Sequence, residues 1–81
     1  MSVSHSILTP AQCRAARAFL DWDRKTLCEA AQVAPGTISD LERGKRTIRD
    51  RTLRDIRAAF EAAGIEFLDG ERPGLRAAGT Q

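Results

Sequence analysis

Seven cations fall between Arg43 and Arg57: Arg43, Lys45, Arg46, Arg49, Arg51, Arg54 and Arg57, against only Asp50 and Asp55. The local charge is +5, so the rest of the 81-residue chain carries −3 and the whole +2. Cationic side chains at that density suit the ionic gripping of a phosphate backbone, which releases counterions and weakens steeply with salt. A solvated helix face produces such runs too. Arg54 and Arg57 have acidic neighbours along the same helix in Asp50, Asp55 and Glu61, and for them the plainer role holds. Catalysis finds no support: Thr37 and Ser39 have no histidine partner, His5 stands alone in a Ser-rich start, and the carboxylates are scattered. Cys13 and Cys28 lack CxxC or CxxH spacing and are expected to be reduced, small buried apolar residues rather than metal ligands or a disulfide. The chain therefore reads as a non-enzyme, with no metal, cofactor or small-molecule ligand.

Whatever uses these cations must be carried on one small domain. The composition, 42% hydrophobic and 30% charged, is that of an ordinary globular domain. No apolar run approaches the roughly 20 residues of a membrane span, and the first nine residues lack the basic and apolar regions of a signal peptide. The expected location is the cytoplasm, with no membrane partner. The expected layout is a flexible tail at 1–8, a folded domain at 9–64, an apolar segment at 65–77 and a disordered tail at 78–81.

Four helices are legible. Thr9 can cap, Pro10 suits a first helical position and Gln12 completes a capping box, so a first helix is expected from Pro10 to Leu20 with Cys13, Ala16 and Leu20 inward and Arg14 on another face. Asp23 caps a second from Arg24 to Ala31, burying Leu27, Cys28 and Ala31, with Trp22 packing back as a staple. Pro35 opens a third that carries Ile38 and Leu41 and stops at Gly44. Asp50 is expected to cap a fourth, Arg51 to Ala63, burying Leu53, Ile56, Ala59, Phe60 and Ala63. Ile65 and Phe67 then alternate with Glu66 as a short strand, and a second around Leu75 to Ala77 would pair with it within the chain or across a dimer. Trp22, Phe19, Phe60 and Phe67 read as core or dimer contacts rather than base-stacking platforms.

Two short helices joined by about three residues cannot lie side by side, so the second must project from the body. A projecting helix of that kind fits the major groove of B-DNA, roughly 12 Å wide. The run RKTLCEAAQVAPGTISDLERGKR resembles the helix-turn-helix of the Cro and phage-repressor class, the XRE-type bacterial and phage regulators. The likeness lies in Leu27, Val33, Ile38 and Leu41, in Cys28 where the class prefers alanine, and in the closing LERGKR; it extends over Thr9 to Gly64. It implies an all-α, lambda-repressor-like compact bundle of four to five short helices, with a short C-terminal strand or hairpin.

The resemblance also implies roles. Pro35, Gly36, Thr37, Ser39, Asp40 and Arg43 would face the bases. Arg24, Lys25, Lys45, Arg46 and Arg49 would hold the DNA backbone, and Arg17 would pair with Glu42 in a largely buried salt bridge. The chain departs from the class in having Gln32 where the turn often has glycine, Ala34 as a poor cap, and Pro35 and Gly36 in place of long polar base readers. Direct readout then falls mainly to Thr37, Ser39, Asp40 and Arg43, and specificity is expected to lean on the arginines and on DNA shape. The resulting expectation is a transcriptional regulator, a repressor of an inverted-repeat operator, working as a homodimer on double-stranded DNA. Ile65, Phe67, Leu68 and Leu75 would serve dimerisation, or else close the monomer core. The rival is an antitoxin-like or adaptor protein whose main task is to bind a protein partner.

Overall fold

The computed structural model describes residues 7–45, 47–68 and 74–77. Residues 1–6 with His5, Arg46, most of the DGERPG turn and the 78–81 tail lie outside the described residues.

Helix α1, Pro10–Leu20, starts where the sequence places its signals. The Thr9 hydroxyl accepts from the Gln12 backbone N–H, and the Gln12 side chain accepts from the Thr9 N–H, each at 3.0 Å. Helix α2, Arg24–Ala31, begins on Asp23, whose carboxylate accepts the Thr26 N–H at 2.8 Å. After Gln32, Val33 and Ala34 the chain enters α3, Pro35–Arg43, and Gly44 ends it in the left-handed region at φ 66°. Helix α4 is Asp50–Ala62. It starts one residue before the expected Arg51, so Asp50 is not its cap. Arg49 holds that position without a side-chain cap bond, and Asp50 instead sets its charge in the first turn, against the positive end of the helix.

Strands β1, Ile65–Leu68, and β2, Gly74–Ala77, form an antiparallel hairpin with Ile65 opposite Ala77 and Leu68 opposite Gly74. Ile65 and Phe67 point into the core, and Glu66 pairs with Arg76 outside at 3.1 Å. The core centres on Leu27, Ile38, Ile56 and Phe60, all fully buried, with Phe60 between Trp22 and Phe67 at ring distances of 5.9 Å. Leu20, Leu53 and Ala59 sit at its margin, half-buried, where full burial was expected. Leu8, assigned by sequence to the flexible tail, is buried in the core, so the ordered body begins ahead of the Thr9 cap. Its position before the cap, with Cys13 four residues inside the helix, is that of a hydrophobic staple.

Helix α3 packs on α2 and α1, α2 on α4, α4 on β1, and α1 on β2. Gln12 fastens the hairpin to α1: its amide N–H group reaches the Gly74 carbonyl at 3.1 Å and the Leu68 carbonyl at 3.5 Å. The α2–α3 joint depends on Gln32, which takes a left-handed backbone at φ 59°. That conformation disfavours an L side chain by about 1–2 kcal/mol. Part of the relief on changing to glycine is returned as extra chain entropy in the unfolded state. Gln32→Gly is therefore expected to raise stability by up to about 1 kcal/mol, read as a higher urea midpoint at unchanged slope. A lowered midpoint would show that the Gln32 side chain contributes more than its backbone strain takes away.

Candidate nucleic-acid interface

Helix α3 has two unlike sides. Ile38, Leu41 and Glu42 face the interior; Pro35, Gly36 and Arg43 are exposed, and Thr37, Ser39 and Asp40 are half-buried between them. A Cβ built on Gly36 meets nothing within 4 Å, so the first turn of α3 opens to solvent with almost no side chain over its backbone. Ala34 supplies no side-chain cap, and the first turn holds no acid. The positive end of the helix is thus left uncancelled, which favours an anion there.

The inward side is held by one carboxylate. Glu42, its side chain 1% exposed, accepts from Arg17 Nε at 2.7 Å and Nη2 at 2.8 Å, a bidentate pair between α3 and α1. Arg24 Nε, from the start of α2, reaches the same carboxylate at 3.2 Å. The Cys13 thiol donates to it at 3.1 Å, and the Arg14 guanidinium donates to the Glu42 backbone carbonyl. Arg17 also donates to the Trp22 carbonyl at 3.1 Å, clamping the α1–α2 link. Burial pushes the Glu42 carboxyl up, but the hydrogen bonds from Arg17, Cys13 and Arg24 outweigh it and hold the group below the usual carboxylate range. Burial first, and then the bond to Glu42, keep the Cys13 thiol protonated far above its ordinary value. Cys13 is thus a hydrogen-bond donor as well as the small apolar residue that the sequence suggested. The sequence expectation puts Arg14 on another face; its spacing of three from Arg17 is the signal that both reach the same side of α1.

Arg24 has a double position. One edge of its guanidinium is turned to Glu42, while the side chain remains 48% exposed. It lines an open hollow of about 770 Å³ with Lys25, Val33 and Pro35, which brings the start of α2 and the start of α3 onto one surface. Lys45, just past the end of α3, and Arg49, at the N-cap of α4, are exposed; Arg46 lies outside the described residues. Arg57 is occupied elsewhere, bonded to Glu61 at 3.0 Å and to the Ile7 carbonyl at 2.8 Å, with its guanidinium 5.1 Å from the Phe67 ring centroid. Of the four residues assigned to dimerisation, Ile65 and Phe67 are used by the monomer's own core because strand alternation turns both inward. Leu75 packs half-buried against that core, and Leu68 remains 36% exposed.

Among the described residues no group of three or more His, Cys, Asp or Glu could hold a metal ion, and no helix is long and apolar enough to cross a membrane. A model of the family described as helix-turn-helix matches residues 14–66, a span from Arg14 through α4 into β1. No curated protein matches the chain.

Removing Glu42 would leave Arg17 facing the interior without its counter-charge. Glu42→Ala is expected to destabilise by about 3 kcal/mol, the lower end for a broken buried pair because Arg17 and Arg24 can still reach water. The acid limb follows from the same group. Its folded-state pKa lies below the ordinary 4.5, so its contribution is complete above that value and is lost as pH falls through the lower, folded one. Urea midpoints measured from neutral pH downward should show this loss in the wild type. Glu42→Gln, less stable at neutral pH, should show a flatter acid limb.

Proposed function

Because the chain belongs to the XRE/Cro-type helix-turn-helix family, whose domain binds double-stranded DNA, we propose that it is a repressor that recognises an inverted-repeat operator as a homodimer, with α3 in the major groove. The observation that carries this reading is the two-sidedness of α3. One side is bolted to α1 and α2 through Glu42; the other exposes Pro35, Gly36 and Arg43, with the exposed cations Arg24 and Lys25 beside its start and Lys45 just past its end.

The division of labour follows from reach. Arg24 and Lys25 on one flank, and Lys45 and Arg49 on the other, grip phosphates and fix the register of α3 along the groove. Glu42 holds one edge of Arg24, so its fork meets a phosphate already oriented, with less side-chain freedom to lose. Pro35 and Gly36 let the backbone of α3 come close to the DNA. Thr37, Ser39 and Asp40 then reach base edges with short side chains that discriminate modestly, Asp40 toward a cytosine amino group. Arg43 is the one long reader, suited to guanine. With so few long readers, sequence-dependent groove shape supplies part of the selectivity. A protein that acts by occupying such a site represses where the site overlaps a promoter.

Selection from a random duplex pool at about 150 mM salt, near physiological ionic strength, tests the reading directly. The expected product is an inverted repeat with half-sites about one helical turn apart; enrichment of nothing would end it. Two substitutions separate the roles. Arg43→Ala should lower discrimination at one base pair by about 1–3 kcal/mol, whereas Lys45→Ala should weaken all sequences alike and reduce the salt slope by about 1. Equal loss of discrimination from both would contradict the assignment.

A further inference from the structure

Arg14 belongs to α1 by sequence, but the fold brings its head group to the end of α3. Its Nη1 donates to the Glu42 backbone carbonyl, one of the last-turn carbonyls that a helix cannot satisfy from within. A cation there also opposes the negative end of the helix dipole. Capping alone would be an ordinary role for an arginine, and three observations go beyond it.

The carbonyl takes one of the five N–H donors of a guanidinium, and the residue as a whole remains exposed. The charge of Glu42 is already met by Arg17 and Arg24, so Arg14 brings uncancelled positive charge to this end of α3 rather than completing an ion pair. The place is also a cationic one. Arg43 follows Glu42 directly and is exposed, and the Lys45 N–H bonds back to the Asp40 carbonyl at 3.0 Å, folding the exposed Lys45 against the same end of the helix.

We propose that Arg14 is a further DNA-backbone contact, which grips a phosphate beside the C-terminal end of α3 while its Nη1 keeps hold of that end. The proposal rests on the DNA-binding reading of α3 above and adds a third helix to the grip. Glu42 then orients two forks, Arg24 through its carboxylate and Arg14 through its main chain. Each meets the DNA with part of its side-chain freedom already spent. A planar fork suits this double duty better than a point charge, since one edge can stay on the carbonyl while another turns to an oxygen. Contact with a phosphate carries no sequence information, so Arg14 adds affinity and register without choosing bases.

The test uses Arg14→Gln, which removes the charge, Arg14→Lys, which keeps it, and Arg76→Gln. The last makes the same change in net charge on β2, where Arg76 pairs with Glu66. Binding to the duplex recovered by selection and to an unrelated duplex is measured between about 50 and 200 mM salt, with urea midpoints alongside. Arg14→Gln should lower the slope of log affinity against log salt by about 0.9. It should weaken both duplexes by up to about five-fold at 150 mM and leave their ratio unchanged. Arg14→Lys should retain the wild-type slope, and Arg76→Gln should leave slope and affinity as they are. If Arg14→Gln lowers the urea midpoint but keeps the wild-type slope, or changes the slope no more than Arg76→Gln does, Arg14 is a cap alone and the reading of α3 stands. If the wild type binds neither duplex, both fall.

Discussion

A single carboxylate, removed from water and surrounded by donors, sets the geometry of the rest. Glu42 sits near the C-terminal end of α3, yet its partners come from α1 and α2. Both oxygens are doubly engaged, one by Arg17 and Cys13, the other by Arg17 and Arg24. Burying such a group alone would be strongly unfavourable. Burying it with its lone pairs satisfied turns the same desolvation into a demand for one arrangement, because any displacement of α3 exposes an unmet charge. The cluster therefore contributes more to the position of α3 than to its free energy. Arg24 carries that order outward: the guanidinium held by Glu42 also lines the surface shared with Pro35.

Most of the frame was legible from local chemistry. Thr9, Asp23, Pro35 and Gly44 act at the helix ends where their types put them, since capping is decided within one turn. The Arg17–Glu42 pair came from the resemblance alone. Sequence spacing links residues on one element, and this bond joins two positions separated by 25 residues. Residues with no periodic company carry no such signal. Ile48 is buried in the link before α4 although its neighbours Thr47 and Arg49 are exposed, so no pattern marks it. Leu8 stands ahead of a cap, where nothing periodic separates it from a tail. Gln12 was correctly read as half of a capping box, but its amide has a second end, and only the fold brings the hairpin carbonyls to it.

The C-terminal hairpin illustrates why composition alone misleads. Its apolar residues were too many for an idle tail, which is true, but period-two alternation divides them into an inward pair and an outward remainder. The inward pair completes the core beside Phe60. Among the described residues the most exposed large apolar side chain, Phe19, belongs instead to α1.

Gly36 has a consequence for how such a protein changes over generations. An open position on the first turn of α3, with no neighbour within 4 Å of a new Cβ, can accept a side chain without repacking what lies beneath it. On the role proposed for α3, one codon change there would install a new base-reading group, and the remaining architecture would carry it unaltered. On that proposal the address is among the most easily rewritten properties of the fold, while the bolt behind it is among the least.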